Sequence, residues 1–168
     1  MAENIMRTIK IEKIILGIGG TGDNLAKGYK LLEVLTNKKP LKTKSAKRIP
    51  TWGVRPGLET GVIVTLRKGA EEMLKKMLLA INNQLKRKQI AENQFSFGIK
   101  EYLEIPGMDY IREVGIMGLD VTVVFKRTGR RVKLKKIKQG KFPKKQRISK
   151  EEIIKFMEDK FQTNFLGK

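Results

Sequence analysis

The chain has 168 residues, of which 37 are lysine or arginine and 17 are aspartate or glutamate, so its formal net charge is +20 at pH 7. It contains neither cysteine nor histidine, which excludes disulfides, Cys- or His-based zinc sites, and Ser-His-Asp or Cys-His catalysis. No apolar run approaches the roughly 20 residues that a membrane span needs, and there is no signal-peptide pattern. We therefore expect one soluble, cytoplasmic domain over residues 1–168 that does not bind membranes.

The excess positive charge lies in two segments that contain no acidic residue. The first, between Glu33 and Glu59, carries seven basic side chains, and the second, between Asp120 and Glu151, carries thirteen. Together they account for the whole net charge. A single charge run is often only a solvated surface, but two runs that hold all of the excess indicate a polyanionic partner, most simply a nucleic acid. We call residues 38–57 the basic loop and residues 126–150 the basic extension.

The remaining pattern predicts alternating strands and helices. In chain order these are a strand over 8–16, a helix over 23–36, a short strand over 41–43, a strand over 61–67, a helix over 70–87, strands over 99–105 and 119–126, and a last helix. The last helix begins at the capping box of Ser149 and Glu152. The basic extension lacks the apolar residues of a packed segment, and we expect it to be largely disordered until it meets RNA.

This order of elements predicts an α+β fold. We expect a two-layer sandwich in which helices cover one face of a mainly antiparallel sheet and leave the other face open. In the strand over 61–67, Thr65 and Arg67 alternate with the apolar residues Val64 and Leu66. Because successive side chains of a strand point to opposite faces, Thr65 and Arg67 are predicted to lie on the open face.

The glycines of the segment from Gly17 to Gly22 fit the pattern G-x-G-x-x-G that opens many dinucleotide-binding domains. That fold also needs a second parallel strand after the helix, ending in a carboxylate about 20 residues on. The segment over 37–50 has neither, which argues against a nicotinamide enzyme. The glycines either permit a tight turn or present backbone N–H groups to a phosphate. The scattered carboxylates form no acid–base or metal cluster, so no enzyme is predicted.

Residues 35–78 resemble the universal large-subunit ribosomal protein number five, the 5S rRNA-binding family. Four motifs recur in the family's order: LTNKKP, TKSAK, RPG and GVIVTLR. The similarity extends over about residues 6–125, and the basic tail that ends in a capped helix resembles archaeal-type members. The sequence departs from the family at Gly17, where Asn is frequent, and at Lys38, where Gln or an equivalent precedes the Lys-Pro pair.

The resemblance implies a structural protein of the large ribosomal subunit that helps form the central protuberance, without enzymatic activity, cofactor or metal. The partners it implies are 5S rRNA, large-subunit rRNA, the P-site tRNA, and neighbouring ribosomal proteins that extend to the small-subunit head. The implied 5S rRNA-binding residues are Lys10, Lys13, Gly17, Gly19, Lys38, Lys39, Thr65 and Arg67. The implied tRNA-binding residues are Thr43, Lys44, Ser45, Lys47, Arg48, Trp52 and Arg55. In the basic extension, Arg127, Arg130, Arg131, Lys133, Lys135 and Lys136 are expected to bind rRNA.

One alternative function remains open at this point. A nonspecific DNA-binding architectural protein would carry the same excess of positive charge, because charge alone does not distinguish DNA from RNA. The two polyanions differ in shape and in the 2′-hydroxyl. The sheet has no paired aromatic residues typical of single-strand RNA recognition, so readout of backbone and shape is the predicted mechanism.

Overall fold

A computed structural model describes residues 4–167. Its strands and α-helices, numbered in chain order, are β1 (Ile9–Gly19), α1 (Asp23–Thr36), β2 (Leu41–Lys44), β3 (Glu59–Leu66), α2 (Ala70–Ala80), β4 (Gln84–Lys86), β5 (Ile90–Ala91), β6 (Gln94–Ile99), β7 (Leu119–Arg127), α3 (Arg131–Leu134), α4 (Lys150–Phe161) and β8 (Asn164–Leu166).

Six of the strands form one mainly antiparallel sheet in the order β2-β3-β1-β7-β6-β5. The outer pairs β2–β3 and β5–β6 are both antiparallel. Strands β4 and β8 form a separate parallel pair. The predicted α+β class with a mainly antiparallel sheet is therefore confirmed.

The chain divides into two compact units, each assembled from separated segments. One, which we call the α1 unit, comprises residues 15–66 and 98–121. The other, the α4 unit, comprises residues 4–14, 67–97 and 122–167. Three of the four boundaries fall inside β1, β6 and β7, and the fourth falls at the end of β3. A single domain over residues 1–168 stays a prediction.

The core of the α1 unit forms where α1 packs on the sheet. The helix lies against β3, and its buried residues include Leu25, Leu31 and Leu32. Leu16 and Ile18 of β1 are also buried. Burial of each such side chain removes apolar surface from water and contributes on the order of 2 kcal/mol to folding.

Gly28 sets how closely α1 approaches β1. A Cβ atom added there would lie 2.9 Å from Cγ2 of Ile18, closer than real Cβ contacts. Gly28→Ala should therefore destabilise the protein by roughly 1 kcal/mol, because overpacking of about 1–3 kcal/mol outweighs the helix-propensity gain of about 1 kcal/mol. Urea unfolding measures this. In an Ile18→Ala background the same change should become stabilising, and an equal loss in both backgrounds would contradict this account of the contact.

The core of the α4 unit is built on phenylalanines from two strands and one helix. Phe95 stacks on Phe97 and on Phe125, with ring centroids 5.9 Å and 5.7 Å apart. Phe156 of α4 meets Phe125 edge-on at 5.6 Å. Offset and edge-on geometries are the favoured ones for aromatic pairs, so these contacts fix α4 on the strands.

The predicted capping box at the start of α4 is confirmed. The Glu152 backbone N–H donates to the Ser149 hydroxyl, and the Ser149 backbone N–H donates to the Glu152 carboxylate at 3.0 Å. These two bonds satisfy backbone donors that the first turn of a helix leaves free.

Two predicted elements are wrong in their extent. Helix α2 ends at Ala80 rather than at residue 87, because Asn82 and Asn83 both adopt left-handed backbone conformations, with φ of 53° and 55°. The strand predicted over 99–105 lies earlier, as β6, and is followed by a 3₁₀ turn over Tyr102–Glu104. In both places most of the apolar residues, such as Leu85, Ile99 and Ile105, are buried, but in a backbone conformation that differs from the predicted one.

Candidate nucleic-acid interface

In the α1 unit, β1 and β3 each have one buried face and one more open face. Leu16 and Ile18 of β1 and Val62, Val64 and Leu66 of β3 are buried. Most alternate positions are half-exposed or exposed, and they are Ile15, Gly17, Gly19, Ile63 and Thr65. Gly61 of β3 has the same register as Ile63 and Thr65 but is buried. Arg67, directly after β3, is exposed. The prediction that Thr65 and Arg67 lie outside the core was based on this alternation of buried and more exposed residues.

Lys10 and Lys13 do not share a face of β1. They are three residues apart in a continuous strand, and an odd spacing places two side chains on opposite faces. Lys13 lies at an even spacing from Gly17 and Gly19 and shares their face of β1, whereas Lys10 lies at an even spacing from the buried Leu16. Lys10 is exposed and Lys13 is half-buried, and binding of 5S rRNA by either residue stays a prediction.

The turn after β1 does not open a dinucleotide-binding fold. Strand β2, which follows α1, pairs antiparallel with β3 at the sheet edge rather than parallel beside β1. The Gly20 backbone N–H donates to the Thr60 carbonyl at 3.1 Å. At Gly17 an added Cβ would meet only Ile63 Cγ2, at 3.7 Å. The strand therefore accepts a Cβ atom at Gly17 in ordinary van der Waals contact.

The basic loop contains a hydrogen-bonded hairpin that the sequence pattern did not predict. The Ser45 backbone N–H donates to the Leu58 carbonyl at 2.9 Å, and the Ile49 and Val54 backbones exchange two bonds of 2.9 Å and 3.0 Å. Val54 is buried. We call residues 45–58 the hairpin. Its internal bonds hold the backbone in place before any partner binds.

The hairpin and the strand before it present the predicted tRNA-binding residues to solvent. Trp52 lies in the short 3₁₀ turn at the tip, and its side chain is 77% exposed. Thr43 and Ser45 are half-buried. The exposed basic side chains are Lys44, Lys47, Arg48 and Arg55, and Lys38 and Lys39 are exposed between α1 and β2.

Three arginines of the basic extension form ion pairs with carboxylates of the α4 unit. Arg127 Nη2 lies 2.6 Å from Glu152 Oε1, Arg130 pairs with Glu12, and Arg147 Nη1 lies 3.2 Å from Glu92 Oε2. Ile148 is fully buried near the far end. The prediction of a largely disordered segment is corrected at these ends, because the acidic partners lie outside the acid-free run in sequence but beside it in space.

The middle of the basic extension remains available for another partner. Residues 131–139 are exposed throughout, and they include Arg131, Lys133, Lys135 and Lys136. Arg127 and Arg130, predicted to bind rRNA with them, instead have their guanidinium groups directed at carboxylates. Sequence reasoning lacked a signal for this difference, since all six residues lie in one run of like charge.

The ion pair of Arg127 and Glu152 anchors the basic extension to α4. Partial burial raises the pKa of Glu152, but the Ser149 backbone N–H and the Arg127 guanidinium outweigh that effect, so its pKa lies below the ordinary value of 4.5. The Arg127 side chain is only 11% exposed. Loss of Glu152 would leave a largely buried charge whose remaining acceptor is the Lys145 carbonyl, 3.3 Å from Arg127 Nη1.

Glu152→Gln should lower the free energy of unfolding by about 1–3 kcal/mol at neutral pH. Glutamine can keep the capping box, so the change isolates the charge. Because the pKa of Glu152 is lowered in the folded state, its stabilising effect is present above the unfolded-state pKa and is lost as the pH falls through the folded-state pKa. Urea unfolding near pH 7 and near pH 3 should show the difference shrinking in acid. Glu151→Gln, at an exposed position, is the matched control, and an equal effect of both changes would reject the anchor.

Some chemistry is absent from the part of the chain that the structure describes. Residues 4–167 hold no group of three acidic side chains placed to bind a metal ion. Within the same residues, no helix is both long and apolar enough to cross a membrane.

Comparison with known proteins finds matches over nearly the whole chain. Residues 4–55 match the family model described as ribosomal protein L5, and residues 59–156 match the model for the C-terminus of the same ribosomal family. The chain is similar to the large ribosomal subunit protein uL5 of Nanoarchaeum equitans, with 44% identity covering 94% of this chain and 95% of the relative. The proteins of the same name from Sulfolobus acidocaldarius and Archaeoglobus fulgidus are 41% and 40% identical, covering 98% and 93% of this chain and 94% and 89% of those relatives.

These matches define a ribosomal protein, which is a structural component and not an enzyme. The chain belongs to the ribosomal protein L5 family. The resemblance found in the four motifs is confirmed, and so is its archaeal type.

Proposed function

We propose that the protein is a structural constituent of the large ribosomal subunit that binds 5S rRNA and helps form the central protuberance. It acts in the cytoplasm, where ribosomes work. The observation that carries this proposal is the family membership over residues 4–156 together with a net charge of +20 concentrated in two segments. A polyanion of defined shape gives such a protein both counter-charge and a binding partner.

The open face of β1 and β3 is the proposed 5S rRNA site. Thr65 and Arg67 supply a hydroxyl and a guanidinium at the end of β3, and Gly17 and Gly19 let a backbone approach β1 closely. Lys13, Lys38 and Lys39 add positive charge. These groups suit contacts with phosphates and 2′-hydroxyls rather than with base edges, which favours recognition of a folded RNA by its shape.

The hairpin is the proposed contact with the P-site tRNA. Its backbone bonds reduce the entropy that must be lost on docking, and its exposed basic side chains contact phosphates without reading sequence. A protein that meets every tRNA in turn needs this kind of contact. The exposed centre of the basic extension, from Arg131 to Lys136, is the proposed contact with large-subunit rRNA.

The connection between β6 and β7 is the proposed contact with neighbouring ribosomal proteins, extending to the small-subunit head. Residues 100–118 carry four acidic and two basic side chains in a strongly basic chain. Tyr110 and Ile116 are 57% and 68% exposed there. An acidic and partly apolar surface repels rRNA but suits a basic protein partner.

Binding of purified 5S rRNA tests the proposal against the alternative of a DNA-binding protein. The protein should bind 5S rRNA more tightly than duplex DNA of equal length at the same salt concentration, because only the RNA offers the fitting shape and 2′-hydroxyls. Competition in a filter-binding assay measures the ratio. A preference for duplex DNA would reject the proposed function.

A further inference from the structure

A pocket in the α1 unit lies between the turn after β1 and the hairpin. Its volume is about 450 Å³, within the range of small-ligand sites of roughly 300–1,000 Å³. Ile49 and Val54 supply apolar surface, and the indole of Trp52 forms part of the wall. Gly19 also belongs to the proposed 5S rRNA site, and Ser45 and Trp52 belong to the residues expected to contact tRNA. Neither proposed contact uses the pocket itself as a binding cavity.

The lining of the pocket is entirely uncharged, whereas its surroundings are basic. Thr21, Ser45 and Thr60 contribute hydroxyl groups, and Gly19 and Gly20 contribute backbone. Around it, the segment between Glu33 and Glu59 contains seven basic side chains and no acidic one. In sequence, the exposed residues Lys44, Arg48 and Arg55 directly adjoin the lining residues Ser45, Ile49 and Val54, and we call these three basic side chains the rim. A neutral interior flanked by basic side chains matches a nucleotide, whose base is planar and uncharged and whose phosphate is anionic.

We infer that this pocket holds one unstacked base of a bound RNA strand, stacked on the indole of Trp52, while the basic side chains of the hairpin hold the flanking phosphates. Stacking on an aromatic ring is tolerant of sequence because every base has a π-face. The hydroxyl groups can donate to or accept from the base edges. The inference rests on the proposed RNA-binding function and adds to it a base-binding subsite.

Two features favour a base over a protein side chain as the occupant. The positively charged rim attracts a phosphate-bearing strand and gives an apolar peptide no comparable attraction. Two backbone hydrogen bonds also hold Trp52 at the hairpin tip. The Trp52 backbone N–H donates to the Ile49 carbonyl at 3.2 Å, and the Gly53 backbone N–H donates to the Pro50 carbonyl at 3.0 Å. An indole on a fixed backbone is a prepared stacking platform.

The single tryptophan of the chain makes the test direct, because all indole fluorescence comes from Trp52 at the wall of this pocket. The probes are a tetra-adenylate RNA and an abasic tetramer with the same ribose-phosphate backbone. Tetra-adenylate should quench the full-length protein saturably, with an apparent affinity about 5- to 100-fold higher than that of the abasic tetramer. Equal quenching by both probes, or none by either, would overturn the inference.

A second variant separates insertion into the pocket from stacking on the outer side of the indole. A Cβ added at Gly19 meets no atom within 4 Å, so Gly19→Val introduces no clash at its Cβ and places two methyl groups at the wall of the pocket that Gly19 lines. This variant should lose the advantage of tetra-adenylate over the abasic tetramer and keep the thermal unfolding midpoint. If it retained that advantage, the base would bind outside the pocket and the inference would be wrong.

Two further outcomes have distinct meanings. If the wild-type protein binds 5S rRNA but does not distinguish the two tetramers, the inference fails and the proposed function stands. If it binds neither 5S rRNA nor the tetramers, the proposed function itself fails. Saturable quenching by a short Glu-Phe-Glu peptide, with none by tetra-adenylate, would assign the pocket to a protein segment and overturn the inference.

Discussion

Replacing Thr65 and Arg67 together by alanine should weaken binding of 5S rRNA by roughly 10- to 100-fold. A hydrogen bond from a charged donor contributes about 1.5–3 kcal/mol, and the double change removes one such donor and a neighbouring hydroxyl. The free energy of unfolding should stay nearly constant, because Arg67 is exposed and Thr65 is only half-buried at the strand end. Filter binding and urea unfolding measure the two effects separately.

The control for this double variant is Lys27→Ala, which removes an equal charge from an exposed position of α1. It should change 5S rRNA affinity much less than the loss of Thr65 and Arg67. If the double variant instead unfolded more easily and bound 5S rRNA with unchanged affinity, the two faces of β3 would have been assigned the wrong way round.

Replacing the four exposed cations of the hairpin region by glutamine should reduce retention of P-site tRNA on assembled ribosomes. The changed residues are Lys44, Lys47, Arg48 and Arg55. Each lost phosphate contact lowers the slope of log affinity against log salt concentration by about 0.7–0.9. The difference from wild type should therefore shrink as the salt concentration rises. Unlike a deletion of residues 45–54, this variant keeps the buried Val54 and the hairpin bonds.

A quadruple control separates the position of the charges from their number. It carries the changes Lys27→Gln, Lys75→Gln, Lys76→Gln and Lys155→Gln, all at exposed helical positions. This control should retain tRNA nearly as well as wild type. Should the hairpin variant lose 5S rRNA binding while assembled ribosomes retain tRNA normally, the hairpin would belong to the 5S rRNA site.

The sequence pattern predicted the strands and helices that have a regular apolar period. Helix α1 ends at Thr36 as predicted, and it begins at Asp23, which the pattern had indicated as its N-cap in place of Gly22. The capping box correctly identifies Ser149 as the N-cap of α4. The pattern failed where backbone conformation depends on single residues. Asn82 and Asn83 end α2 in left-handed conformations, while the apolar residue Leu85 that follows had indicated a longer helix and instead lies in β4.

The candidate site was predictable in its chemistry and less so in its geometry. Acid-free runs located the basic loop and the basic extension, and alternation placed Thr65 outside the core. Arg127 pairs with Glu152, 25 positions away in sequence, and Arg130 pairs with Glu12, 118 positions away. No local pattern encodes such contacts. The backbone hydrogen bonds of the hairpin were also not predicted, because the prolines and glycines of this segment are typical of an irregular loop.

Co-sedimentation with ribosomal subunits tests the central claim most directly. We expect the full-length protein to migrate with the large subunit and to stay there through a high-salt wash, because shape-specific contacts persist when simple charge attraction is screened. Release of the protein by that wash, or its migration with the small subunit alone, would contradict the claim that it is a structural constituent of the large subunit.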